Sequence, residues 1–143
     1  MMSKGRIRVL ALGLIRDGDR LFLSQGYDAV KQQSFYRALG GGVDFGETSE
    51  QALHREFKEE LQAELTNIHY LGCLESIFTF KGKQGHEVIQ LYQCDFVDRQ
   101  FYKVEQLSFV EGNRKKAAMW VDISRFESGE LILVPDGFME YVR

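Results

Sequence analysis

One segment, Thr48-Ser49-Glu50-Gln51-Ala52-Leu53-His54-Arg55-Glu56-Phe57-Lys58-Glu59-Glu60-Leu61, constrains the fold more than any other. Thr48 with Gln51 three residues later matches a capping box, which starts a helix at Thr48 or Ser49 and carries it to about Leu61. Leu53, Phe57 and Leu61 recur at helical spacing and form an apolar stripe that must be buried. On a wheel of about 100° per residue, Glu56, Glu59 and Glu60 fall within an arc of about 100° that borders this stripe. Like charges at these spacings destabilise a helix, and burying one near a core is costly unless a cation compensates. Hard oxygen ligands suit Mg²⁺ or Mn²⁺, and Ala52 and Ala63 leave room beside the carboxylates. Arg55, one turn before Glu59, can hold that carboxylate as an anion and so make it a candidate base.

Around the helix the pattern is that of strands. Ile7 to Ile15 is apolar and β-branched, Arg16-Asp17-Gly18-Asp19 reads as a turn, and Arg20 to Ser24 as the second arm of a β-hairpin. Gly26 to Ser34 reads as a loop, and Phe35 to Leu39 as a short strand ending at Gly40-Gly41-Gly42. Those glycines allow backbone angles closed to other residues, so amides or carbonyls can approach a metal or phosphate. Strands are expected over Ile68–Phe80, Glu87–Phe96, Phe101–Val110 and Ala117–Val121, with a helical turn at Ile123–Phe126 and a last short helix capped by Asp136. A mixed sheet with one strong helix early and weaker helices late predicts an α/β (α+β) sandwich. No linker or repeat divides residues 1–143, which predicts a single domain.

Composition narrows the partners. With 44% hydrophobic and 27% charged residues the chain can bury a core and is not a disordered tail. A net charge of -3 argues against long nucleic acid as a ligand, and the single basic cluster, Arg114-Lys115-Lys116, reads as a solvated loop. Cys73 and Cys94 match neither a disulfide framework nor a zinc motif, so both are expected as buried thiols of a cytoplasmic protein. No apolar run reaches the roughly 18 residues of a membrane span, and the opening from Met1 to Arg6 has no signal-peptide pattern.

From Gly41 the chain runs through Glu47 to Arg55-Glu56-Phe57-Lys58-Glu59-Glu60. This resembles the Nudix box, whose pattern is Gly, five residues, Glu, seven residues, then Arg-Glu-apolar-any-Glu-Glu-any-Gly-apolar. Gly41, Glu47, Arg55, Glu56, Phe57, Glu59 and Glu60 match in register, whereas Gln62 stands at the closing glycine and the small Ala63 at the apolar position. The Pro that often precedes the glycines is absent from Ala38-Leu39-Gly40.

The resemblance implies a Nudix-like α/β/α sandwich and a metal-dependent pyrophosphohydrolase. Its substrate would be a nucleoside diphosphate linked to another moiety, or a nucleoside triphosphate. It implies Glu56 and Glu60 as metal ligands, Glu59 as a ligand or the general base, the Gly40 carbonyl as a further ligand, and a catalytic set of Glu59, Arg55 and Glu56. Glu47 would support the loop or anchor the helix. Gly41 and Gly42 would meet the substrate, with Arg37 as a phosphate contact or else a plain surface arginine. Outside the box Glu87, Glu105 and Glu111 are candidates for an additional base or ligand, Glu87 favoured. Two alternatives stay open, a catalytically silent nucleotide sensor and a hydrolase of dinucleoside polyphosphates or RNA caps. A homodimer also stays open.

Overall fold

The structure, a computed structural model, describes residues 5–143. Met1 to Lys4, the first part of the opening read as leaderless, lie outside the described residues. In chain order the elements are β1 (Arg8–Leu14), β2 (Arg16–Asp17), β3 (Arg20–Asp28), β4 (Gln33–Gly42), α1 (Ser49–Leu61), β5 (Leu65–Phe80) and β6 (Lys83–Phe96). A 3-10 turn at Arg99–Tyr102 follows, then β7 (Gln106–Glu111), β8 (Arg114–Asp122), α2 (Ile123–Glu127) and α3 (Met139–Val142).

The strands form one hydrogen-bonded path in the order β5-β6-β1-β4-β3-β8-β7, with β2 on β3. Only β1 and β6 run parallel among the paired strands, so the sheet is mixed. Strand β4 is the pivot, because Leu39–Gly42 pairs with β1 whereas Gln33–Ala38 pairs with β3. Beyond that switch the segment 132–134 bonds to Tyr36, which donates its N–H to Ile132 O at 2.8 Å and accepts from Val134 N at 2.9 Å. The backbone groups of β4 are therefore used on both sides of the bend.

Two apolar clusters lie on opposite faces. Leu53, Phe57 and Leu61 of α1 pack on Ala11, Phe22, Leu39, Tyr92 and Phe96. Leu10, Leu12, Leu21, Leu23, Ile89 and Leu91 pack with Phe126, Phe138 and Val142 from the late helical segments. Helices on both faces of a mixed sheet make the α/β/α sandwich that the resemblance implied, within the α/β (α+β) class that the pattern predicted. No helix among the described residues is long and apolar enough to cross a membrane.

Helix α1 begins as expected, with both hydrogen bonds of the Thr48–Gln51 capping box in place. Several local expectations are corrected. Strands β1 and β3 do not pair as a hairpin, since β4 inserts between them and only the two-residue β2 turns back on β3. The stretch read as a loop from Gly26 is mostly strand, and the three glycines are the end of β4 rather than a turn. Arg114-Lys115-Lys116 opens β8 opposite β7 instead of lying in a loop. Phe101 falls in the 3-10 turn, Asp136 caps nothing, and Cys73 is exposed on β5 while Cys94 is buried. For β1, β3 and β4 a partner strand distant in sequence settled what local propensity left open.

Gln62 explains how the helix ends without the box's closing glycine. It adopts the left-handed conformation, φ 53° and ψ 36°, and its Nε2 donates back to Glu59 O at 3.1 Å. A side chain in that region is strained by about 1–2 kcal/mol. Gln62→Gly should therefore raise stability by up to about 1 kcal/mol, less what the lost side-chain bond and the freer unfolded chain remove. Urea denaturation checks this, and a loss of stability would show that the Nε2 bond outweighs the strain.

Candidate active site

The site grows from the seam where α1 crosses the glycine end of β4. A Cβ on Gly40, whose φ is 145°, would lie 2.0 Å from Ala11 O, so only glycine lets β4 lie this close to β1. A Cβ on Gly41 would sit 2.4 Å from Cδ of Glu56. The bare α-carbon of Gly41 thus makes the room that the Glu56 carboxylate occupies.

Arg55 ties the connecting loop to the helix. Its Nη2 donates to Glu47 Oε1 at 2.6 Å and to Gly42 O at 2.9 Å, and its Nε to Glu47 Oε2 at 3.1 Å. Its Nη1 donates to Glu56 Oε1 at 3.0 Å and to Glu59 Oε2 at 3.3 Å. Glu47 in turn accepts the Asp44 N–H at 2.9 Å. The spacing pointed to Glu59 as the arginine's partner, but Glu47 is the closer one and Glu59 is held only at the edge of reach. The Arg55 bond, then the Asp44 N–H, hold the Glu47 carboxyl below its usual value. Glu47 likewise holds Arg55 above its usual value, so this pair stays ionised.

Glu56 is 15% exposed along its side chain, and Glu59, at 59%, faces solvent. Glu60 is the unusual member. Burial first, then a hydrogen bond with Glu56 and the charge of Glu111, push its carboxyl up to about 9 from an ordinary 4.5. Its Oε1 is buried with no hydrogen-bond partner among the described residues. Glu60 is thus held toward its protonated form, which eases the repulsion between two neighbouring carboxyl groups.

A cleft of about 350 Å³ opens beside this pair, bounded by Arg8, Gly41, Gly42 and Glu56 on one side and by Glu111 to Arg114 of the β7–β8 turn on the other. A hollow of about 370 Å³ between Arg16, Asp122 and Arg143 holds none of the box residues. Of the candidates outside the box, Glu111 reaches the cleft and pairs with Lys116 at 2.9 Å. Glu105 is exposed away from it. Glu87 is 5% exposed and faces Arg37 at 3.4 Å and Arg8 at 3.9 Å. Burial pulls Arg37 below its usual value against the pull of Glu87, and nearby Arg8 adds to the lowering. Arg8 was missed as a site residue, and of the β7–β8 turn only Glu111 was a candidate from sequence. The one signal for Arg8 was a charge interrupting an apolar strand, and its meaning depends on the parallel pairing Arg8↔Glu87.

The NUDIX domain family model matches residues 4–140 of the chain. The chain belongs to the NUDIX family.

Among NUDIX relatives, NAD-capped RNA hydrolase NudC of Pseudomonas fluorescens (strain Pf0-1) is 26% identical over 129 residues, covering 86% of this chain and 46% of that protein. Mitochondrial NAD(P)H pyrophosphatase NUDT13 of Mus musculus is 38% identical over 135 residues, covering 88% of this chain and 37% of that one. The chain thus spans less than half the length of these curated relatives. Among solved structures, the MutT NUDIX hydrolase from Burkholderia pseudomallei matches with a TM-score of 0.59 at 25% identity, covering 83% of this chain and 85% of that chain. A NUDIX hydrolase from Nitrosomonas europaea shares the fold with a TM-score of 0.65 at 15% identity, covering 96% and 86%.

The raised Glu60 carboxyl has a consequence for stability. Between about pH 4.5 and 9 the folded state keeps a proton that the unfolded chain has released, so stability should fall as pH rises through that window. Urea unfolding in EDTA at several pH values should show this slope in the wild type and a flatter one in Glu60→Gln. Equal slopes would mean that Glu60 is ionised in the fold.

Proposed function

We propose that this NUDIX chain is a divalent-metal-dependent pyrophosphohydrolase, working as a single domain in the cytoplasm. Its proposed substrate is a nucleoside diphosphate linked to another group, the dinucleotides related to NAD included. The observation that carries the reading is the Glu56–Glu60 pair, a hard-oxygen donor set in which Glu60 Oε1 is buried without a partner and Glu56 lines the cleft. The names of the NAD-capped RNA hydrolase and NAD(P)H pyrophosphatase relatives support a dinucleotide diphosphate. The unpaired Cys73 and Cys94 favour the reducing compartment.

Glu56 and Glu60 would hold Mg²⁺ or Mn²⁺. Among the described residues no three His, Cys, Asp or Glu side chains converge as a closed metal site, so water and substrate oxygens would complete the shell, as suits Mg²⁺. When bound, the cation supplies charge neutralisation for the diphosphate oxygens and binding energy for the substrate. Glu59, exposed and within 3.3 Å of Arg55 Nη1, would take the proton of an attacking water. Arg55 serves by holding Glu47 and Gly42 against the helix, which keeps Gly41 and Gly42 at the wall of the cleft. The Gly40 carbonyl remains a proposed further ligand.

The test incubates the protein with NAD, NADH, ADP-ribose, nucleoside triphosphates, dinucleoside polyphosphates and NAD-capped RNA, in Mg²⁺, Mn²⁺ or EDTA. Cleavage to nucleoside monophosphates should require metal. Glu59→Gln should lower kcat by about 10²–10⁴-fold, the range for a lost general base. Glu56→Gln should raise the metal concentration needed for half-maximal rate. Metal-dependent binding without turnover would replace the enzyme by a sensor, and neither binding nor cleavage would remove the site. Preference for capped RNA over the free dinucleotide would move the substrate to RNA.

A further inference from the structure

Arg8 and Arg37 come from different strands and meet over one buried carboxylate, Glu87. Two guanidinium groups thus share one carboxylate, with Glu111 the further anion near Arg37. Each guanidinium carries five N–H donors. Among the described residues neither donates a side-chain hydrogen bond, since their contacts with Glu87 at 3.4 and 3.9 Å are ion pairs only. By contrast Arg16, Arg20, Arg55 and Arg125 all spend donors on named oxygens. Arg8 also lines the cleft, and its Nη2 lies 3.6 Å from where a Cβ of Gly42 would stand, one residue from the Gly41 that cradles Glu56.

We infer that Arg8 and Arg37, pinned by Glu87, form a phosphate subsite next to the Glu56–Glu60 end of the cleft, built to take the phosphate adjacent to the one held there. This inference rests on the proposed hydrolysis for its substrate but not for its binding chemistry. A planar guanidinium meets phosphate oxygens bidentately, and a pair with ten donors meets three oxygens from two directions. Glu87 is then a positioning residue. Its charge keeps two like-charged groups side by side, and its burial fixes where they stand. The assignment also separates Glu87 from the role of base, because its carboxylate is buried and occupied by two guanidinium partners.

A subsite of this kind fits a substrate with two consecutive phosphates. We take the carboxylates Glu56 and Glu111 as one end of the cleft and the guanidinium of Arg8 as the other, all three among its lining residues. A monoanionic ester would engage one end only. A diphosphate spans both, and after cleavage the product phosphate at the arginine end stays held, which makes a nucleoside monophosphate an inhibitor.

The test separates the subsite from the activity by working in EDTA. Binding of ADP, inorganic pyrophosphate and adenosine to the full chain is measured by calorimetry for wild type, Arg8→Gln, Arg37→Gln and Glu87→Gln. Arg8 is half-exposed, so Arg8→Gln keeps the test available if a buried variant fails to fold. ADP and pyrophosphate should bind the wild type and bind Arg8→Gln and Arg37→Gln about ten-fold more weakly, while adenosine shows no dependence on either arginine. In metal, all three variants should raise KM with little change in kcat, and Glu87→Asp should restore part of the loss. No metal-free binding of pyrophosphate by the wild type, or unchanged binding in both arginine variants, would overturn the subsite even if hydrolysis is confirmed. If hydrolysis fails but arginine-dependent phosphate binding persists, the subsite stands and the enzymatic reading falls. A kcat collapse in Glu87→Gln at unchanged KM would return Glu87 to the role of base.

Discussion

The guanidinium of Arg55 joins three parts of the chain that would otherwise be independent. Its bonds to Glu47 and to Gly42 O close the loop between β4 and α1, and its Nη1 reaches two helix carboxylates. Without it the loop would carry two acidic side chains, Asp44 and Glu47, toward a helix face that already holds three glutamates. An ion pair this interconnected is unlike an isolated surface pair, whose contribution is small, because each partner is also held by a backbone bond. The position of the glycine strand relative to α1, and with it the width of the cleft, follows from this tie.

Close approach is the second constraint. Gly40 lets β4 lie on β1, and Gly41 lets Glu56 lie on β4, for different physical reasons, the first against backbone and the second against a side chain. The Leu53, Phe57 and Leu61 stripe supplies the force that drives the helix into that seam. Packing thus places Glu60 where water is excluded, and the carboxylate answers by holding a proton or accepting a cation.

How much of this was legible in the sequence depended on range. The helix, its cap, its apolar stripe and the box glutamates are local patterns, and each stood where its spacing placed it. The glycines were legible as a need for unusual backbone but not as strand, because the partner that makes them a strand is β1, some thirty residues away. Arg8 and Glu87 are separated by most of the chain and meet only through parallel pairing of β1 with β6, which leaves no trace in local periodicity. Arg114-Lys115-Lys116 looked like a solvated loop because a two-residue turn, Gly112-Asn113, separates two exposed strands whose pairing decides the matter. Gln62 was visible as a departure from the box, and its left-handed backbone shows that the chain kept the glycine's conformation without the glycine.

The charge pattern of the cleft has its own logic. At about 4 Å and an effective dielectric near 20, two like charges repel by about 4 kcal/mol, enough to exclude an anion from the Glu56–Glu60 end unless that charge is neutralised. A proton on Glu60 is a partial neutralisation, while a divalent cation would be a full one and would reverse the sign of the local field. The arginine end attracts the same anion in either condition. A phosphate-bearing ligand is therefore drawn to one end of the cleft at all times and to the other only when the carboxylates are compensated. Such a cleft discriminates between a ligand that merely arrives and one that is aligned along both ends, and the alignment rests on residues that four separate strands and one helix bring together.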